Sequence, residues 1–191
     1  AFIASVLENC SGAVHVFDHF HVVKLMNEHL DDIRRKVYTM EKDINKRKVL
    51  KGTRYLLLGN GADIFDKQYK NRLDNALAMN EPLSKAYYLK EQMREIWTQI
   101  NKEHASAVLN DWVRQARESK IPQLEKMANT LMLYRSGILA WYDCHISTGK
   151  VEGINNKIKV MKRNAYGFRD ERYFKLRLYA LHDCRITRNV G

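Results

Sequence analysis

The hydrophobic period of the chain changes at Asp18, and that change constrains the fold more than any other feature. Ahead of it runs Ala13-Val14-His15-Val16-Phe17, introduced by the turn-forming pair Ser11-Gly12 and preceded by a short helical stretch over residues 1 to 9. Val14 and Val16 are good strand formers and suit a covered strand. Beyond Asp18, Val22, Met26, Leu30, Ile33 and Val37 recur at spacings of four, four, three and four. That pattern predicts an amphipathic helix from Phe20 to Tyr38, with Lys24, Arg34, Arg35 and Lys36 outside its apolar stripe. A strand passing into a helix through a carboxylate is an α/β arrangement with a site at the strand's carboxyl end. The same carboxylate also reads as the N-cap of the helix.

The rest of the chain reads as helical. Arg54-Tyr55-Leu56-Leu57-Leu58 is a short apolar segment that periodicity leaves open between strand and helix, ended by the turn Gly59-Asn60-Gly61. From residue 83 to 143 one stripe comprises Ala86, the aliphatic stem of Lys90, Met93, Trp97 and Ile100, and a second Ala105, Val108, Leu109, Trp112 and Ala116. Ile121-Pro122 breaks the pattern, and a third stripe follows through Leu124, Met127, Leu131, Tyr134, Ile138 and Trp141. Trp97, Trp112 and Trp141 therefore read as core residues, not as platforms for stacked bases.

Charge singles out two regions of the 191 residues, whose net charge is +11. Residues 150–191 hold eleven Lys/Arg against four Asp/Glu, and residues 20–54 hold ten against five. Residues 55–149 are nearly balanced, with twelve against eleven. Concentrated positive charge is the footprint of a polyanionic partner. Three distant cysteines, Cys10, Cys144 and Cys184, with no CxxC pair, suit a reducing compartment and argue against structural zinc. No apolar run approaches the roughly 20 residues of a membrane span, so the expected setting is cytoplasmic. Lys51-Gly52-Thr53 has the wrong order for a phosphate loop and lacks its upstream glycine.

The chemistry-bearing residues lie in the two basic regions. A helix beginning at Thr148-Gly149, with Ser147 or Thr148 as N-cap, buries Val151, Ile154, Ile158, Met161 and Ala165. Its opposite face carries Glu152, Asn155, Asn156, Lys159 and Arg163. A glutamate in a first turn is explained by the helix dipole alone, but Gly153 is not, because glycine costs about 1 kcal/mol relative to alanine inside a helix. Small and amide side chains beside a carboxylate fit a place where a metal or a phosphate backbone approaches. His19 and His21 flank Phe20 and would share one side of an extended segment; lacking a Cys or a third paired His, they suit phosphate or carboxylate contacts better than zinc. Asp18 and Glu152 in basic surroundings favour phosphoryl transfer with two Mg²⁺ (or Mn²⁺) ions, which need hard oxygen ligands. Lys159, Lys162 and Arg163 would then hold the DNA backbone. Two carboxylates are few for two ions, so a third acid is expected.

Phe17-Asp18-His19-Phe20-His21-Val22, together with the run from Ser147 through Lys159, resembles the bacterial insertion-sequence transposases of the ISL-three family. The similarity continues through Lys162-Arg163-Asn164-Ala165-Tyr166-Gly167-Phe168-Arg169 and Tyr173-Phe174-Lys175-Leu176-Arg177, and takes in the stretch with Trp112 and Ser119. The resemblance implies a ribonuclease-H-like domain with an Asp-Asp-Glu triad and a large all-α insertion between the second and third acids. Asp18 matches the second acid and Glu152 the third, both as metal ligands. The first acid would precede Ala1, as would zinc-binding and helix-turn-helix regions, so a truncated transposase inactive by itself is expected.

The expected organisation is thus a partial ribonuclease-H-like core dominated by helices over 1–54, a helical insertion over 55–146, and a catalytic helix region over 147–191. The expected activity is metal-dependent DNA strand cleavage and strand transfer at insertion-sequence ends, with Asn155, Asn156, Lys159, Lys162, Arg163 and Arg169 on the DNA and a homo-oligomer as the working form. A transposase-derived DNA-binding or regulatory protein without catalysis is the alternative.

Overall fold

The computed structural model describes residues 2–10, 12–145 and 149–183; the side chains at 2–4, 7, 150–152, 182 and 183 lie outside the description. Two compact units divide at residue 146. The first contains α1 (Phe2–Asn9), α2 (His19–Met40), α3 (Ile44–Leu50), α4 (Arg54–Leu58), α5 (Lys67–Ala78), α6 (Glu81–Met93), α7 (Lys102–Glu118), α8 (Pro122–Leu133), α9 (Arg135–Leu139) and α10 (Trp141–Cys144). The second contains α11 (Gly149–Asn164) and α12 (Glu171–Asp183).

Helix starts follow short polar residues that satisfy the orphan amides of a first turn. Asp43 Oδ1 accepts from the Asn45 and Lys46 amides, Asp66 Oδ1 from those of Gln68 and Tyr69, Asn80 Oδ1 from that of Leu83, and Asn101 Oδ1 from that of His104. Pro122 is the first residue of α8, where a missing N–H costs nothing.

In the first unit α2 packs on α6 and α8, and α7 packs on α8. The stripe read from the sequence of α2 is the buried one: Val22, Met26, Leu30 and Ile33 are buried, and Val37 packs at the margin. They meet Leu83, Met93, Leu124 and Met127 from the facing helices. Trp112 is buried, and its indole N–H donates to the Leu89 carbonyl at 2.7 Å, so it is a satisfied core residue. Trp97 is buried as well, while Trp141 is half-buried against the Tyr142 and His145 rings.

Three readings of the sequence are corrected. Residues 13–17 are not helical, as expected, but no strand occurs among the described residues, so the α/β expectation gives way there to an all-helical architecture. The partner on offer is distant in sequence: the Phe17 amide donates to the Gly137 carbonyl of α9 at 3.0 Å, a helix in place of a strand. Ile100, placed in the first stripe, is 85% exposed. There α6 ends at Met93 and a 3-10 turn over Arg94–Trp97 rotates the chain before Asn101 caps α7. Finally, Ala165 is exposed and Ile154 is 40% exposed, so within its unit α11 buries chiefly Met161.

The segment open between strand and helix is α4. Behind it, Lys90 of α6 is wholly buried, ammonium included, and donates to the carbonyls of Leu57 at 2.9 Å and Gly59 at 2.5 Å. It also pairs with Glu91 and lies 4.7 Å from the Tyr87 ring centre. Burial pushes the Lys90 pKa down from its ordinary value and lifts that of Tyr87 to about 12.

The second unit is a helical hairpin. Tyr166 (φ 49°) and Gly167 (φ 95°) end α11 in left-handed conformation, and the Gly167 amide closes back on the Lys162 carbonyl at 3.0 Å. Asp170 then caps α12 by accepting from the Arg172 and Tyr173 amides. Phe168 fills the corner against Tyr173 and Phe174.

Candidate metal and nucleic-acid site

Asp18 is the N-cap of α2, with φ −69° and ψ 132°, and its Oδ1 accepts from the Phe20 amide at 2.8 Å. The carboxylate is only 8% exposed, and His19 Nδ1 stands 3.3 Å from the same oxygen. The structural reading of this residue as a cap therefore holds. The capping bond is made by Oδ1 of the carboxylate.

Asp18 is held in place from behind by α9. The Phe17 ring lies on Gly137 and is 4.8 Å from the Tyr134 ring, with His15 edge-on at 4.7 Å. A Cβ at Gly137 would fall within 3.0 Å of two Phe17 ring carbons, so only glycine admits this crossing. Gly137 is the positioning residue that the sequence reading missed; one glycine among helical stripe residues was its only local signal.

His19 and His21 fall within the helix and not in an extended segment, so successive positions turn by about 100° each and the two do not share a side. The His19 ring is 6.1 Å from that of Trp97, whose buried indole N–H has no hydrogen-bond partner among the described residues. No group of three His, Cys, Asp or Glu side chains converges among the described residues in a way that could hold a metal ion.

In the second unit Glu152 lies in the first turn of α11, and its side chain is outside the description, as are the expected caps Ser147 and Thr148. Asn155, Asn156, Lys159, Lys162 and Arg163 are all exposed, and helical spacing gathers them with position 152 on an arc of about 120°. Lys162 sits at one border of that arc, its ammonium 4.9 Å from the centre of the Phe174 ring. Arg169 is exposed in the turn between the helices. A Cβ on Gly153 would meet nothing within 4 Å, so packing inside the unit does not require this glycine.

Over residues 1–178 the sequence matches the transposase family designated ISL3, the ISL-three group. The chain belongs to the ISL-three transposase family. It is 40% identical over 167 residues to the transposase for insertion sequence element IS1001 of Bordetella parapertussis, covering 86% of this chain and 41% of that protein. It is 29% identical over 187 residues to the transposase for insertion sequence element IS1557 of Mycobacterium tuberculosis, again over 86% of this chain and 41% of the relative. This transposase chain thus spans about two fifths of the length of the curated relatives it matches. No solved structure matches it. Among the described residues no helix is long and apolar enough to cross a membrane.

Proposed function

We propose that this chain supplies the second and third carboxylates, Asp18 and Glu152, of a ribonuclease-H-like centre that cuts insertion-sequence ends and transfers the freed strand to target DNA. The observation that carries the reading is Asp18 itself, a nearly buried carboxylate fixed at the start of a helix by its neighbour's crossing over Gly137, inside a region matched to transposases. A stability role alone needs a cap, and an exposed one serves as well. Burying an acid beside a histidine costs desolvation that chemistry explains better.

The donor chemistry fits a hard divalent ion, since carboxylate oxygens are what Mg²⁺ or Mn²⁺ takes, and a complete set calls for a further acid. When bound, such ions supply charge stabilisation at the attacking and leaving oxygens. The chain's own residues do the rest. Asp18 and Glu152 would hold the ions, and Asn155, Asn156, Lys159, Lys162, Arg163 and Arg169 hold the phosphate backbone from an exposed face. An oligomer that brings two such centres to paired element ends completes the proposal.

The test is Mg²⁺-dependent cleavage of element-end DNA by a polypeptide that contains this chain and has the full length of its curated relatives. Loss of cleavage in Glu152→Gln with DNA binding retained supports the reading; full cleavage by that variant sinks it.

A further inference from the structure

Several acids of the first unit draw cations into ion pairs, while a run of exposed cations on two packed helices goes without. Asp31 draws Arg34 (2.8 Å), Arg35 (3.8 Å) and Arg54 (3.4 Å), and Asp32 draws Lys36 (3.3 Å). Lys85 pairs with Glu81 at 2.6 Å, Lys102 with Asp143 at 2.5 Å, and Arg114 with both Asp111 and Glu118. On α3 and α5, which pack on each other, the exposed cations Lys46, Arg47, Lys48, Lys51, Lys67 and Lys70 have no carboxylate within pairing distance among the described residues. Asp43 and Asp66 are committed to capping these two helices, and Asp74 of α5 makes no ion pair with Lys70 four residues before it.

The groove between the helices is about 460 Å³ and is lined by Lys48, Val49, Gln68, Asn71, Arg72 and Asn75. Its shape is braced from below. Arg72 of α5 donates to the Lys51 carbonyl at the end of α3, passing over Gly52 (φ 78°), where a Cβ would stand 3.0 Å from its guanidinium nitrogen. Three amide side chains, Lys48 and Arg72 in the groove, and further exposed cations elsewhere on the two helices form a surface that suits phosphate and sugar oxygens, which such groups contact in duplexes.

We propose that the α3–α5 groove is a second docking surface for the backbone of duplex DNA, separate from the α11 face. The inference rests on the reading that the chain acts on DNA. It predicts a sequence-independent, salt-dependent share of the affinity.

The experiment is fluorescence anisotropy of a labelled random-sequence duplex with the 191-residue chain, titrated at a series of KCl concentrations. The triple variant Lys46→Gln, Lys48→Gln, Lys67→Gln is compared with a charge-matched control, Lys36→Gln, Lys85→Gln, Lys102→Gln. The slope of log affinity against log salt should shrink by about 0.9 per groove lysine and by little in the control. An unchanged slope in the triple variant with native circular dichroism overturns the groove and leaves the DNA reading standing. Equal loss in both variants overturns it too, because net charge alone then explains the binding. A wild-type chain that binds no duplex at low salt removes the groove and the DNA reading together.

Discussion

Phe17 lies across Gly137, its ring so close that α9 has no room there for a Cβ, and the Phe17 amide donates to the carbonyl of that same glycine. One glycine thus fixes both the height and the direction of the segment that ends in Asp18. Gly137→Ala should destabilise the first unit by about 1–3 kcal/mol through overpacking, read as a lower urea midpoint. In a polypeptide of the relatives' full length that contains this chain it should also reduce cleavage beyond what the stability loss explains, since Asp18 moves with Phe17.

Asp18→Asn separates the two uses of this side chain. Asparagine caps helices as well as aspartate does, so thermal stability should change by less than about 0.5 kcal/mol, whereas Asp18→Ala should cost about 1 kcal/mol. Cleavage should fail in both variants, because an amide is a poor ligand for a hard divalent ion. Asp18→Asn with normal cleavage would leave only the cap.

Lys90→Met keeps the length of the stem and removes the ammonium, leaving the Leu57 and Gly59 carbonyls without their donor and Glu91 without its cation. The expected cost is about 2–4 kcal/mol, measured by urea denaturation. Amide exchange should show α4 opening first.

His29 gives stability a dependence on pH. Burial, and then the Lys126 charge, hold its pKa below the ordinary value of 6.5, so the unfolded chain takes up its proton first as pH falls. The contribution is intact above pH 6.5 and is lost as pH drops toward the depressed folded value. Denaturation midpoints measured from about pH 7.5 down to about 5.5, the range in which histidine titrates, should fall, and His29→Gln should flatten the decline.

Gly153→Ala should raise the helix stability of α11 by up to about 1 kcal/mol, since its Cβ meets open space in the second unit. If DNA or metal approaches α11 at this position, as proposed, the same variant loses strand cleavage while gaining thermal stability. A gain in stability with no change in cleavage would make Gly153 irrelevant to the site.

Much of this molecule is written in local pattern. The buried stripe of α2, the break at Pro122, the core role of Trp112 and the capping capacity of Asp18 follow from spacing and side-chain chemistry, which a single helix expresses wherever it packs. The motifs around Asp18 and Glu152 carried the family in the same way, as continuous runs of residues. The fate of residues 13–17 was not legible, because apolar residues with strand propensity become a strand only if another strand offers its backbone, and here the partner offered is Gly137 on a helix over a hundred residues away. Ile100 was misplaced because a 3-10 turn resets the helical phase without a proline or glycine to announce it. The contrast between paired and unpaired lysines was likewise invisible, since composition counts charges and only the tertiary structure decides which of them meet.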